Sequence, residues 1–187
     1  MDSSFSYGVG LQTYTGGLWD GFEPTLEELG AYVRRAEELG YTTIWHTDRL
    51  LPTVPPGYST AWYEPLTTLS SIIPYIKKAG VGTSAVVLPL RNPVILAKQL
   101  ATMDVLSGGR LKVGIAMGWS QQEYAATGTD FKRRSAIYSE YIRVLSMLLT
   151  GDKVSFQGRY VSISDVEIRP HPVQRPRPPI YMGGGGP

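Results

Sequence analysis

The 187-residue sequence predicts an α/β fold, with a mainly parallel sheet covered by helices, and three observations carry that expectation. Short runs rich in β-branched residues alternate with longer stretches of helical spacing, the pattern of repeated βαβ units. Capping residues mark the helix starts and glycines the helix ends, so the alternation has boundaries. With 42% hydrophobic and 18% charged positions, the chain can bury a sizeable core as one globular domain, far from the composition of a disordered segment.

Tyr7 to Gln12 reads as the first strand. Thr25-Leu26-Glu27-Glu28 forms a capping box, in which the threonine hydroxyl accepts from first-turn amides and the glutamate reaches back. Leu29, Val33 and Ala36 then recur on one face, and Gly40 supplies a left-handed stop. Strand two, Thr42 to His46, follows at once. The Pro- and aromatic-rich stretch Leu50 to Trp62 is long for a strand-to-helix connection, which marks it as a lid or binding loop before a helix near Pro65 to Ile76. Strand three is Val81 to Leu88, and Asn92-Pro93 opens a helix that runs to about Leu106 and stops at Gly108-Gly109. Strand four is Leu111 to Met117.

Asp130 is expected to cap the next helix, whose Ile137, Tyr141, Val144, Leu145 and Leu148 form an apolar stripe suited to core contact. Val154 to Phe156 and Tyr160 to Ile168 then break the rhythm as a hairpin joined through Gln157-Gly158-Arg159. The proline- and arginine-rich stretch Arg169 to Pro179 has two readings, a stiff connector or a polyproline ligand for a partner. A fifth parallel strand, Pro179 to Met182, leads into Gly183 to Gly186.

Several function classes are excluded by composition. No cysteine is present, so disulfides, thiolate catalysis and Cys-ligated metals are absent. His46 and His171 are far apart, and no metal site is expected. A net charge of +2 does not fit a polyanion binder. No apolar run approaches the ~18 to 20 residues of a membrane span, and no signal-peptide pattern opens the chain, so a cytoplasmic location is expected.

Ligands of parallel α/β proteins bind where the strands' carboxyl ends form a rim. That rim comprises Gln12 to Tyr14, His46 to Arg49, Ser84 to Arg91, Met117 to Gln121 and Gly183 to Gly186. No Ser-His-Asp or paired-carboxylate arrangement is visible there, and the mixture suits a planar heterocycle and a phosphate. Gly8-Val9-Gly10 begins like a dinucleotide-binding fingerprint, but Thr13 stands where its third glycine belongs. The terminal glycines lack the Lys and Ser/Thr of a P-loop, and read either as a phosphate cradle or as a flexible chain end.

From Tyr7 onward the motifs follow an ordered series. It includes Leu88-Pro89-Leu90-Arg91-Asn92-Pro93, Ala97-Lys98-Gln99-Leu100-Ala101-Thr102-Met103-Asp104, Ser107-Gly108-Gly109-Arg110, Gly114-Ile115-Ala116-Met117-Gly118-Trp119-Ser120 and Pro179-Ile180-Tyr181-Met182-Gly183-Gly184. In that series the chain resembles the bacterial luciferase-like monooxygenase family of flavin-dependent oxidoreductases, particularly its coenzyme F-420 subgroup, and looks like the N-terminal part. The resemblance implies a (β/α)8 TIM barrel, here about five barrel strands with the hairpin and connector of residues 152–178 inserted in a single domain. It also implies FMN or F-420 as cofactor, a small organic substrate, and a homodimer.

By the same resemblance, a non-proline cis peptide at Ser84-Ala85 lies against the flavin ring. Asp48, Met117, Gly118, Trp119, Gly183 and Gly184 join Ser84 and Ala85 as cofactor contacts, and Trp62 and Tyr63 line the substrate opening. Asp48 occupies the family's acidic position, but Arg49 stands where a proton-transferring histidine often follows, and guanidinium does not shuttle protons. Catalytic roles therefore fall to His46, Asp48 and Arg49, with a structural role for His46 and neutralisation of Arg49 by Asp48 as the alternatives. Trp119 is incompatible with a glutamate at that point, so sugar-phosphate dehydrogenation is not carried over. The expected activity is hydride transfer to, or oxygenation of, a small substrate, and the alternative is a flavin-binding relative without turnover. A full barrel needs about 250 residues, so the chain is expected to be incomplete, with open edges on strands one and five.

Overall fold

The computed structural model describes residues 6–13, 23–52 and 62–183. Its elements run β1 (Gly8–Gly10), α1 (Leu26–Glu38), β2 (Thr43–His46), α2 (Pro65–Ile72), β3 (Gly80–Thr83), β4 (Val86–Val87) and α3 (Pro93–Leu106). They continue with β5 (Leu111–Ala116), α4 (Gln121–Ala126), α5 (Arg134–Leu148), β6 (Val154–Gln157), β7 (Ser162–Val166) and β8 (Ile180–Gly183). β1, β2, β3, β5 and β8 pair in chain order and in parallel, each joined to the next through a helical crossover. Chain-order pairing with helices on one side is the winding of a barrel wall rather than of a doubly wound sheet. Among the described residues β1 and β8 are the sheet's two edges.

Strand alternation divides the sheet into two unlike faces. Val9, Ile44, Val81 and Leu111 are register partners across four strands on the outer face, where the buried members join the core with Leu29, Val33, Leu69, Leu96, Leu100 and Leu145 of the helices. Gly10, Trp45, Gly82 and Lys112 make the matching row on the inner face. The Trp45 indole lies across its neighbours, since a Cβ on either Gly8 or Gly82 would overlap its ring.

The helix boundaries follow the capping chemistry in the sequence. Thr25 and Glu28 form the reciprocal capping box, and Asn92 Oδ1 accepts from Val94 and Ile95 at the start of α3. Gly40 adopts φ +88° beyond α1, where a side chain would be strained. Three expectations change. Strand three is interrupted at Ser84 and Ala85, and its continuation β4 also pairs with β5. Pro74 belongs to a 3-10 turn, Ile73–Tyr75, so α2 ends earlier than expected. Asp130 accepts from Lys132 and caps a separate 3-10 turn, Phe131–Arg133, ahead of α5. The short α4 has too few apolar positions to show a helical period, and was not anticipated.

β6 and β7 form an antiparallel ribbon off the main sheet, held to α5 where Glu140 accepts from the amides of Arg159, Tyr160 and Val161. The proline-rich segment is a connector. Asp104, fully buried on α3, accepts from the Val173 and Gln174 amides through Oδ2 and from the Gln174 side chain through Oδ1. Pro172 and Pro178 are buried as well, leaving no continuous proline face for a partner.

Asp104→Ala should lower the unfolding free energy by about 3 kcal/mol, because buried donors left without an acceptor cost about 1 to 3 kcal/mol each. Urea denaturation checks this against Glu38→Ala, whose exposed pair with Arg35 should barely move the midpoint. Equal midpoints for the two variants would refute the anchoring role.

Candidate functional site

At the carboxyl ends of the strands the inner face opens into a cleft of about 450 Å³. Gly10, Trp45 and Thr47 line it from the first two strands, Thr83, Ser84 and Ala85 from the third, and Gly114, Tyr181, Met182 and Gly183 from the last two. The volume lies within the ~300 to 1,000 Å³ of small-molecule sites.

Its floor arises from a break in one strand. Val81 and Gly82 pair with Leu111 and Lys112, whereas Val86 and Val87 pair with Ile115 and Ala116, so the register shifts by one residue between them. Ser84-Ala85 is a cis peptide bond in this interval. The Thr83 hydroxyl replaces the missing ladder, donating to the Gly114 carbonyl at 2.7 Å and accepting from the Gly114 amide at 2.9 Å. A Cβ on Gly114 would overlap the Thr83 carbonyl, so only glycine allows this approach. The Ser84 amide donates to the His46 carbonyl at 2.7 Å, tying the floor to β2.

A charge network fixes the rim above it. Arg91 grips Asp48 with two parallel bonds, Nη2 to Oδ1 at 2.9 Å and Nε to Oδ2 at 3.1 Å, while the Val87 amide donates to Oδ2 at 3.0 Å. The same guanidinium reaches Glu64 Oε1 at 2.9 Å, and Glu64 caps α2 through the Thr67 amide. Asp48 therefore joins the loops after β2 and β4, and it pairs with Arg91 rather than with Arg49. Arg49 instead faces Glu123, with its Nε 3.9 Å from Oε1.

Strand parity separates His46 from the cleft. Trp45 points to the inner face, so His46 lies on the outer one, 1% exposed, with Nε2 3.5 Å from the Thr13 hydroxyl. Burial pushes its pKa down to about 4, against the opposing pull of Asp48 and Glu64. At neutral pH it is an uncharged core residue.

Of the expected cofactor contacts, Ser84, Ala85 and Gly183 line the cleft, and Gly184 lies outside the described residues. Gly118 does not reach the cleft. It takes φ +72° and packs against Val87, where a Cβ would crowd Cγ1. The Met117 carbonyl accepts from Tyr124, whose hydroxyl burial pushes up to about 12. Trp119 is exposed and stacks on Arg49. Tyr63 lines a groove between α1 and α2, its hydroxyl donating to the Pro24 carbonyl at 2.8 Å, and is not among the cleft residues. Trp62 is half-buried and not among the cleft residues, and most of the Leu50 to Trp62 loop is outside the described residues.

Sequence reasoning missed Gly10, Trp45, Thr83, Gly114, Tyr181 and Met182. Alternation within the strands, with glycine recurring on one parity, was the available signal. Among the described residues no group of three His, Asp or Glu side chains could hold a metal, and no helix is long and apolar enough to cross a membrane.

The His46 environment makes a pH prediction. Between the unfolded value near 6.5 and the folded value of about 4, the unfolded chain binds a proton that the folded chain does not. Its contribution is therefore complete above pH 6.5 and declines as the pH falls, by about 2 kcal/mol at pH 5. Urea midpoints at pH 7 and pH 5 should converge in His46→Asn relative to the unsubstituted chain; an identical pH slope would contradict the assignment.

Comparison with known proteins agrees with this architecture. The F420-dependent glucose-6-phosphate dehydrogenase of Amycolatopsis mediterranei is 33% identical over 176 residues, 89% of this chain and 52% of that protein. An FMNH(2)-dependent dimethylsulfone monooxygenase of Pseudomonas putida is 38% identical over 96 residues, 50% of this chain and 26% of that protein. A monooxygenase structure from Streptomyces bottropensis superposes with TM-score 0.79 at 23% identity, covering 95% of this chain and 53% of the other. The coenzyme F420 dependent tetrahydromethanopterin reductase of Methanopyrus kandleri gives 0.76 at 21%, covering 97% and 50%. The chain thus spans about half the length of the first of these relatives and of both solved structures, and its five-stranded wall is part of their barrel. The family described as Luciferase-like monooxygenase matches residues 3–187, and the chain belongs to that family.

Proposed function

We propose that this chain carries the flavin-binding wall of an oxidoreductase or monooxygenase that uses FMN or coenzyme F-420 on a small organic substrate. The observation that supports the reading most is the cleft itself. Its floor is the segment of exposed Ser84 and half-buried Ala85, and at Gly10 an added Cβ would meet no atom of the described residues within 4 Å. Open glycine surface beside a flat aromatic, Trp45, suits a planar ring system. Reduced flavin, when bound, supplies a hydride or the electrons for oxygenation, chemistry that belongs to the cofactor.

The chain's own residues bind, orient and exclude water. Trp45 and Tyr181 meet edge to face, with centroids 6.0 Å apart, and wall the cleft on its inner side. Ser84 and Thr47 offer hydroxyls to the polar parts of the cofactor, and Gly183 lets it approach the end of β8 without a side chain in the way. Among the described lining residues there is no carboxylate or imidazole. Asp48 is engaged by Arg91 and His46 is neutral, so neither supports the proton-transfer role first expected of it. That same absence is what favours the second reading, cofactor binding without turnover. Oxidation of bound, reduced cofactor by added substrates separates the two.

The homodimer and the cytoplasmic setting belong to this proposal as well, and light scattering tests the first. For the central reading, Gly10→Val places in the cleft a side chain whose Cβ meets no atom of the described residues within 4 Å. It should weaken FMN or F-420 binding at least about tenfold, a loss of roughly 1.4 kcal/mol, with the thermal midpoint nearly unchanged. Absorbance titration reads the affinity. Equal affinity in the two proteins, or no binding of either cofactor by the unsubstituted chain, would overturn the reading.

A further inference from the structure

Behind the exposed Trp119 lies a nearly enclosed charge. The Arg49 guanidinium sits 4.5 Å from the centroid of the Trp119 ring, and its side chain is 10% exposed while Trp119 is 66% exposed. Glu123, itself 3% exposed, collects this region on one oxygen. Its Oε1 accepts from the Leu50 amide at 3.0 Å and the Leu51 amide at 3.2 Å, and lies 3.9 Å from Arg49 Nε. The glutamate is fixed in turn by the first turn of α4, where its amide donates to Ser120 Oγ. A guanidinium stacked on an indole is only as fixed as the segment that carries it. Both ends of the stack stand on the rim at the strands' carboxyl ends, Arg49 after β2 and Trp119 after β5, and neither is itself among the cleft-lining residues, although Thr47, two residues before Arg49, is.

We infer that Glu123 is a positioning residue which, through Leu50, Leu51 and Arg49, locks Trp119 as a rigid apolar wall on the rim after β5 and selects substrates with a planar apolar face. The substrate half of this inference rests on the proposed function; the lock does not. An indole held by a cation on one face leaves its other face for contact with an aromatic or flat apolar group, and a strongly hydrated group would lose water there without replacement.

The test uses the whole chain and reads Trp119 emission as the difference between each protein and its Trp119→Phe counterpart, with acrylamide as quencher. Glu123→Ala removes the acceptor, Glu123→Gln retains an oxygen for the two amides, and Arg49→Lys keeps the charge but loses the planar stack. Glu123→Ala and Arg49→Lys should raise the Trp119 quenching constant about twofold as the second ring face becomes accessible, and Glu123→Gln should restore the original value. If Glu123→Ala does not fold by circular dichroism, Arg49→Lys decides. Unchanged quenching in folded variants overturns the lock. Benzyl alcohol should shield Trp119 from acrylamide where glycerol does not, and equal shielding overturns the preference for a planar apolar face. FMN and F-420 titrations of the same proteins keep the outcomes apart, because failure to bind either cofactor removes the proposed function while leaving the quenching result standing.

Discussion

The grip of Arg91 on Asp48 is the contact on which the site's geometry rests. It joins the end of β2 to the turn after β4, the two segments that flank the interrupted strand, and it extends to α2 through Glu64. Both parallel bonds are charge-assisted, and the planar fork fixes direction as well as distance. The Asp48 side chain is 6% exposed, so removal of Arg91 would strand a carboxylate largely out of water, a loss of about 3 to 5 kcal/mol by the usual behaviour of buried pairs. In this chain Asp48 therefore has a structural task, fixing the segment after β2 to the turn after β4 at the rim.

The same chemistry recurs wherever a connection must lie close to the core. Glu37 accepts from the amides of Lys77, Lys78 and Ala79 before β3, Asp104 anchors the proline-rich connector, Glu140 the ribbon turn and Glu123 the loop after β2. Each carboxylate supplies backbone donors of a connection with an acceptor that regular secondary structure does not provide there. In Glu37 these bonds hold the carboxyl below its usual range although burial works in the opposite direction. Four acidic side chains thus tie the described parts of these connections to the elements around the parallel sheet.

Much of the fold was legible because its determinants are local. The Thr25 capping box, the Asn92-Pro93 start and the α5 stripe are set by residues within about three turns of one another. The clamps were not legible, since Glu123 and Leu50 are 73 residues apart and nothing near either one identifies the other. His46 is a different case. Its position at a strand end drew a catalytic reading, yet parity alone places Trp45 inward and His46 outward once Ile44 is recognised as core. The interrupted strand became an expectation only through family resemblance, because composition does not distinguish Ser84-Ala85 from any small buried pair.

On the proposed function, the inner-face cleft over Ser84 and Ala85 receives a flavin ring. Amide chemical shifts of the isotope-labelled chain during FMN or F-420 titration test it most directly. The account predicts saturable shifts at Gly10, Thr47, Ser84, Ala85 and Gly183, with little change at Leu26, Tyr63 and Thr67 in the groove between α1 and α2. Shifts centred on that outer groove, with Ser84 and Ala85 unmoved, would contradict it.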